Sequence, residues 1–327
     1  MTAPNVPIAS TDSTLSALAQ ADAERAREKR KAARSENTQR AYRQGVAAFV
    51  AWAETRGIDP LPAVAPDVVA AFLAAEDGRG LAPATVSLRA AAIGAMHQAA
   101  NLPNPCQHPV VREVLHGIRR EWAQGGGERK RADPVTPERL ASMLATLDCD
   151  TVKGKRDAAL LALGLALGAR RSELAALDVE HLTFDAEGVM VRIARSKTDQ
   201  TGEGAHLHVP RAGNPTLCAV RALTVWLEAS GVTEGALFRR VRKGGTVLGR
   251  IPERTIDHIV RETARRARFE GRYSAHSLRA GLVTALAERG RTEAEIMVQS
   301  RHKSSAMVRL YTRPLDAKRA CPLRGAW

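Results

Sequence analysis

The chain has 327 residues, enough for two domains, because a single core stops growing well before that size. Its 49 Lys and Arg against 35 Asp and Glu give a formal charge of +14, a surplus that attracts nucleic acid or an anionic membrane face. The longest apolar run, over residues 158–169, is far too short to span a bilayer and reads as a buried helix, which leaves nucleic acid as the leading partner and argues against a membrane. The opening MTAPNVPIAS has no basic start and no long apolar stretch, so no secretory signal is expected. Cys106, Cys149, Cys218 and Cys321 are scattered without metal-site spacing, which fits free thiols in a reducing cytoplasm.

Residues 1–33 are polar and heavily charged (ERAREKRKAAR) and read as a flexible basic arm or a frayed helix. An all-α domain is expected over 34–123. It opens at SENTQRAYRQGVAAFVAWAETRG, where Tyr42, Val46, Phe49, Val50 and Ala53 recur at helical spacing and Gly57 ends the helix. A second helix is expected over about 66–76. A third carries Val86, Ala90, Ile93 and His97 on one face, and a fourth covers about 109–122, with Pro and Gly at each connection. Three glycines and a charge run make 124–134 a flexible basic linker. The second domain, 135–327, begins with a helix capped by Thr136, with Pro137 at its first position. A Leu/Ala-rich helix then ends near Gly168. In GVMVRIARSKTDQTGEGAHLHVP the period changes to two: Val189, Val191 and Ile193 alternate, then Leu207 and Val209, which predicts a β-hairpin with Lys197 in its loop. His206 and His208 share a strand face and read as a half-exposed hairpin rather than a metal site. From about residue 215 the pattern is helical to the end. The expected fold is therefore mainly α, with two domains and one small antiparallel hairpin.

Several polar residues invite a chemical reading. GARRSELAAL holds Arg170 and Glu173 at a helix start. HSLRAG puts His276 and Arg279 three apart on one helix face. SRHKSSAMVRLYTR places His302 nine residues before Tyr311, one of three tyrosines in the chain. Singly, each has an ordinary explanation as a solvated first turn, a surface pair or a structural histidine. Together and in this order they resemble the tyrosine recombinases, also called the phage integrase family. HSLRAG, EIM and the late tyrosine are most similar to its Cre-like and resolvase-like branches, and the resemblance runs over residues 35–313.

That resemblance implies a two-domain DNA clamp, with a DNA-gripping N-terminal core-binding domain and a catalytic domain. It implies that Tyr311 attacks DNA to form a 3′-phosphotyrosyl link and releases a 5′-hydroxyl. A homo-tetramer on two synapsed sites of specific double-stranded DNA would then pass through a Holliday junction. Bond energy stays in the phosphotyrosine, so no cofactor, ATP or metal is expected. The residue types suit this chemistry. Arginines at Arg170 and Arg279 can clamp the non-bridging oxygens of a phosphodiester under attack. His276 and His302 supply donors or move the proton of the phenol, whose ordinary pKa near 10 calls for a cationic field or a base. Lys197 is the candidate general acid for the leaving oxygen, and Glu173 the candidate that orients an arginine.

Two departures stand out. The family usually has Gly before the second histidine, whereas here the order is Ser300, Arg301, His302, which bears on the turn presenting His302. Only a short tail follows Tyr311, which reads either as a segment docking on a neighbouring subunit, with Leu323 and Trp327 as anchors, or as a disordered tail. Candidate DNA contacts are Thr38, Arg40 and Arg43 on the first helix, Thr85, Ser87 and Arg89 on the third, and Arg265 in RETARRARFEGR. Arg309 and Arg313, which flank the tyrosine, read as phosphate or subunit contacts. Two other functions remain open on sequence: a DNA-binding protein without catalysis, and a type IB topoisomerase, which shares the chemistry.

Overall fold

A computed structural model describes residues 17–32, 35–60, 64–128, 131–194 and 204–319. Contacts divide the chain into two compact units, Met1–Arg129 and Lys130–Trp327.

In the first unit, α1 (Ala17–Ala32) is a helix, and the rest of the basic arm expected over 1–33 lies outside the described residues. The unit then contains α2 (Glu36–Glu54), α3 (Pro66–Gly78), α4 (Pro83–Ala99) and α5 (Pro109–Gln124). Ser35 caps α2 by accepting from the Thr38 N–H. α3, α4 and α5 each begin on a proline, whose missing N–H costs nothing there. The core is Phe49, Phe72, Leu73, Val86, Ile93, Val111 and Ile118, with Phe49 and Phe72 in an edge-on pair at 5.2 Å. His97 is buried and fully engaged: Nδ1 donates to the Ile93 carbonyl at 3.0 Å and Nε2 accepts from the Val64 N–H at 3.3 Å. It is a structural histidine.

The second unit is built around α7 (Val152–Leu167). Leu160, Leu161, Leu163 and Leu167 are all fully buried, as expected of a helix apolar all round. It follows α6 (Pro137–Leu144), whose N-cap Thr136 accepts from the Arg139 N–H. After α7 come α8 (Arg171–Ala176) and the strands β1 (Leu182–Phe184), β2 (Gly188–Ile193) and β3 (Ala205–Pro210). The three strands form one antiparallel sheet in chain order. Val189 pairs with Val209 and Val191 with Leu207, so the apolar faces of β2 and β3 coincide and meet the core. His206 and His208 lie on the other face, opposite Arg192 and Met190.

Beyond residue 215 the chain is not helical throughout. Between α9 (Ala219–Ser230) and α10 (Glu253–Arg266) it makes a second hairpin, β4 (Arg239–Val241) with β5 (Val247–Arg250). These strands are three and four residues long, too short for a period-two signal, and β1 was missed for the same reason. The chain ends with α11 (Ala275–Glu288), α12 (Glu293–Ser300) and α13 (Ser305–Arg319). These three share a small cluster of their own: Val283 and Ala287 from α11, Ile296 from α12 and Val308 from α13.

Gly281 of α11 allows the segment entering this unit to cross the helix at backbone distance. A β-carbon there would lie 1.8 Å from the Val135 carbonyl oxygen, and the Val135 N–H donates to the Ser277 carbonyl at 2.9 Å. Gly281→Ala should therefore destabilise this unit by about 1–3 kcal/mol, read as a lower denaturation midpoint. Gly213→Ala, where a β-carbon meets nothing within 4 Å, should change that midpoint little.

Candidate active site

Four elements of the second unit converge. The first is the end of α7. Gly168 takes a left-handed conformation, φ 52°, which glycine adopts at no steric cost and which stops a helix. The chain then runs extended through Arg170, the N-cap of α8. Glu173, in the first turn of α8, is buried. Its Oε2 accepts from the Arg170 backbone N–H at 2.9 Å and its Oε1 from Arg170 Nη1 at 2.7 Å. One carboxylate thus caps the helix and fixes the guanidinium of its own N-cap residue.

The second element is the start of α11. Ser274 caps it, accepting from the His276 N–H, and the Ala275 N–H donates to Asp257 of α10 at 2.8 Å. His276 and Arg279 project from the same face of this helix. Arg279 is only 2% exposed. Its Nη1 donates to the Gly168 carbonyl at 2.8 Å and its Nε to His302 Nε2 at 3.2 Å. Its Nη2 is buried with no protein partner among the described residues.

The third element is the turn after α12. Ser300 is buried; its hydroxyl donates to the Ile296 carbonyl at 2.6 Å and lies 2.7 Å from His302 Nδ1. With its one proton used on the carbonyl, the hydroxyl accepts from His302 Nδ1–H, and Nε2 keeps the lone pair that receives Arg279. Arg301, the C-cap of α12, has φ 57°. It occupies the left-handed position that a glycine would take without strain, so the turn presenting His302 survives the departure from the family pattern.

The fourth element is α13. Val308 is fully buried and fastens this helix to α11 and α12. Tyr311, one turn later, places its hydroxyl 2.9 Å from His276 Nε2. Arg131 reaches the same helix, donating to the Leu310 carbonyl at 3.3 Å.

The cations act on one another. Burial, then Arg170 and Arg301, hold the Arg279 guanidinium down to about 10. Protein packed around the His276 ring, then Arg279 and Arg170, keep its pKa below the ordinary value, although part of the residue meets solvent. Burial and the nearby arginines push His302 down to about 4. Burial raises the Tyr311 phenol, only partly offset by Arg131 and Arg279. The arginines near it therefore do not bring the phenol below its ordinary value. Burial pushes Glu173 up, but Arg301 and the hydrogen bonds of Arg170 outweigh it and hold the carboxylate ionised.

Arg170, Glu173, His276, Arg279, His302 and Tyr311 thus meet in one place. Lys197 lies outside the described residues, as do Leu323 and Trp327 and the side chain of Arg313. Arg309 is paired with Glu293 at 2.9 Å. Ser300, Arg301 and Arg131 were not picked out from sequence as site residues. The only signal was the arginine at 301 where a glycine is usual.

Of the candidate DNA contacts, Thr38, Arg40, Arg43, Thr85, Ser87 and Arg89 belong to the first unit and Arg265 to α10 of the second. Arg40, Arg43 and Thr85 are exposed; Thr38 sits at the Ser35 cap, and Ser87 accepts from Arg119 at 3.1 Å. Arg89 is a structural brace. It is ion-paired with the buried Glu76 and donates to the Gln44 carbonyl at 3.2 Å, tying α4 to α3 and α2. Arg265 makes two hydrogen bonds to Glu262, at 3.0 and 2.9 Å, within α10.

Residues 134–318 match the phage integrase family, and residues 29–102 match the phage integrase N-terminal SAM-like domain. The chain belongs to the phage integrase family. It is 34% identical over 285 residues to the integrase/recombinase xerD homolog of Selenomonas ruminantium, covering 85% of this chain and 82% of that protein. It is 25% identical over 310 residues to recombinase cre of Escherichia phage P1, covering 89% and 88%. Its fold is that of the Tn1549 transposon integrase solved with circular intermediate DNA (TM-score 0.58, 16% identity, 92% of this chain and 98% of that one). A lambda integrase dimer bound to a COC′ core site gives a TM-score of 0.53 at 17% identity, covering 90% and 94%. The phage integrase family comprises tyrosine site-specific recombinases, and the protein acts on DNA by strand breakage and rejoining. No helix among the described residues is long and apolar enough to cross a membrane.

His302 should show the Nδ1–H pattern in two-bond ¹H–¹⁵N spectra at neutral pH and keep it until the pH nears about 4. Folding depresses this imidazole, so the unfolded chain takes up a proton there that the folded chain does not. Its contribution to stability should accordingly fall as the pH drops from about 6.5 towards 4. Ser300→Ala should weaken the Nδ1–H preference in the same spectra.

Proposed function

We propose that Tyr311 is the nucleophile of a site-specific recombinase and that Arg170, Arg279, His276, His302, Glu173 and Lys197 serve it. The observation that carries this reading is the Tyr311 hydroxyl, 2.9 Å from His276 Nε2 and beside a buried guanidinium whose Nη2 has no protein partner among the described residues.

Arg170 and Arg279 hold the non-bridging oxygens of the scissile phosphate and stabilise the charge that gathers there during attack. His276, kept neutral by its surroundings, accepts the phenolic proton through Nε2 as the Tyr311 oxygen bonds to phosphorus. His302, neutral and fixed by Ser300, orients Arg279 through its lone pair. The bond from phosphorus to the 5′-oxygen breaks, and Lys197 gives that oxygen its proton. A 3′-phosphotyrosyl link remains. The 5′-hydroxyl of another strand then attacks it, the strands are rejoined, and the phenol regains its proton. No bond energy is lost, so the cycle asks for neither ATP nor metal. Two rounds on two synapsed sites, in a homo-tetramer, pass through a Holliday junction. Thr38, Arg40, Arg43, Thr85, Ser87 and Arg265 are proposed to contact this DNA, and the cytoplasm is the proposed setting.

A nicked suicide duplex carrying a site selected by the protein should trap a covalent protein–DNA adduct in the presence of EDTA and without ATP. Tyr311→Phe should give none, and an adduct persisting in that variant would remove Tyr311 from the role. Binding without any wild-type adduct would favour a catalytically silent DNA-binding protein. Relaxation of supercoiled DNA of any sequence would favour a topoisomerase. Lys197→Ala should cleave ordinary DNA slowly and recover on a 5′-bridging phosphorothiolate, whose sulfur leaves without a proton. Equal slowness on both substrates would exclude the lysine as the acid.

A further inference from the structure

We infer that Arg301 is a positioning residue for strand cleavage: it completes an Arg170–Glu173–Arg301 triad around a buried carboxylate that holds Arg170 towards the scissile phosphate and restores the positive charge that Glu173 would otherwise cancel. The inference rests on the proposed role of Arg170 as a phosphate ligand.

Three observations support it. The first is connectivity. Arg301 Nη2 donates to Glu173 Oε2 at 2.7 Å, while Arg170 Nη1 donates to Glu173 Oε1 at 2.7 Å. The carboxylate is held from both sides, so its plane, and with it the Arg170 fork, is fixed. Arg301 Nη1 also donates to the Leu167 carbonyl at 3.1 Å and the Gln299 carbonyl at 3.2 Å. These bonds tie the triad to the ends of α7 and α12, which carry the Gly168 and His302 partners of Arg279.

The second is charge. Arg170 with Glu173 alone is a neutral pair, a poor receptor for a dianionic transition state. Arg301 makes the triad a net cation. Together with Arg279 the cluster sets three guanidiniums against one carboxylate, and Arg301 is one of the charges felt by both Arg279 and His302. The Arg301 side chain is itself only 10% exposed, so this charge is little screened by solvent.

The third is backbone cost. Arg301 is one of three non-glycine residues with positive φ among the described residues. A left-handed position disfavours a β-carbon, and glycine would make this turn more easily. A bulky side chain held in such a conformation, with both terminal nitrogens given to groups around the active site, points to a role beyond ending a helix.

The test compares cleavage rates in single turnover on two suicide duplexes. One carries an ordinary scissile phosphate. The other carries a methylphosphonate, which lacks one non-bridging negative charge. Arg301→Gly keeps the left-handed turn and removes the guanidinium. It should cleave the phosphate substrate more slowly by on the order of tenfold, the scale of losing an outer partner of a functional group. Its deficit should shrink on the methylphosphonate, and it should bind DNA as the wild type does. Arg301→Lys keeps a buried cation and should fall between the two; it decides the matter if the glycine variant does not fold. In a double-mutant cycle, Arg301→Gly and Glu173→Gln should be strongly non-additive in cleavage rate. Wild-type cleavage by Arg301→Gly, or equal deficits on both substrates with additive effects, would overturn the inference and leave the proposed function standing. Absence of any wild-type adduct would overturn both.

Discussion

A guanidinium that water hardly reaches sets the terms for the rest of the second unit. Arg279 is held between a helix-end carbonyl and an imidazole, which meet two of its donors while its buried Nη2 has no partner among the described residues, and burying a cation is costly unless such partners are in place. The groups meeting them must be placed to within a few tenths of an ångström. The α7 terminus must turn at Gly168 to expose its carbonyl, and the turn after α12 must offer His302 with its lone pair inwards. Burial first, and then neighbouring charges mostly of the same sign, push three groups towards their neutral forms: Arg279 loses basicity, and His276 and His302 resist protonation. The resting cluster is positive, under-neutralised and equipped with an unspent donor. A phosphate bound there, as proposed, would relieve repulsion that the fold has already stored.

The surplus of positive charge in the sequence is less uniform than a single number suggests. Much of the arginine is committed internally. Arg89 is joined to buried Glu76, Arg156 to buried Asp157, Arg171 to Glu253 and Asp257, and Arg250 to Asp178. These arginines brace helices and loops. Arg40 and Arg43, by contrast, stand on an exposed helix face. Composition gave the partner class correctly, but it could not separate cations that bind DNA from cations that hold the protein together. That distinction needs the position of Glu76 or Asp157, which local sequence does not reveal.

Helical periodicity was readable wherever a helix was long and one-sided, as around Phe49 and Val86, or apolar throughout, as in α7. Caps were readable too, because Thr136 with Pro137 works through bonds within one turn. Arg170, Glu173, His276, Arg279, His302 and Tyr311, which the fold brings together, stood out in the sequence through the order in which such side chains follow one another in the family it resembles. Three kinds of feature were not readable. Strands of three or four residues, such as β1, β4 and β5, carry no period. Gly281 looked like part of a motif, whereas its reason is the Val135 carbonyl, from a segment far away in the chain. Ser300 and Arg301 gain meaning only from His302, Glu173 and the end of α7, which tertiary packing brings to them.

Val308 supplies the remaining consequence. The helix carrying Tyr311 is fastened by one fully buried aliphatic side chain within a four-residue cluster, while α7 sits in the large core of the unit. Local stability scales with such burial. The phenol therefore rides on a small cluster of its own rather than on the main core that holds the end of α7. With Tyr311 as the proposed nucleophile, competence to cut and integrity of the fold would be set by separate free energies, and a recombinase of this build would be able to hold DNA in its arginine cradle while its blade is sheathed.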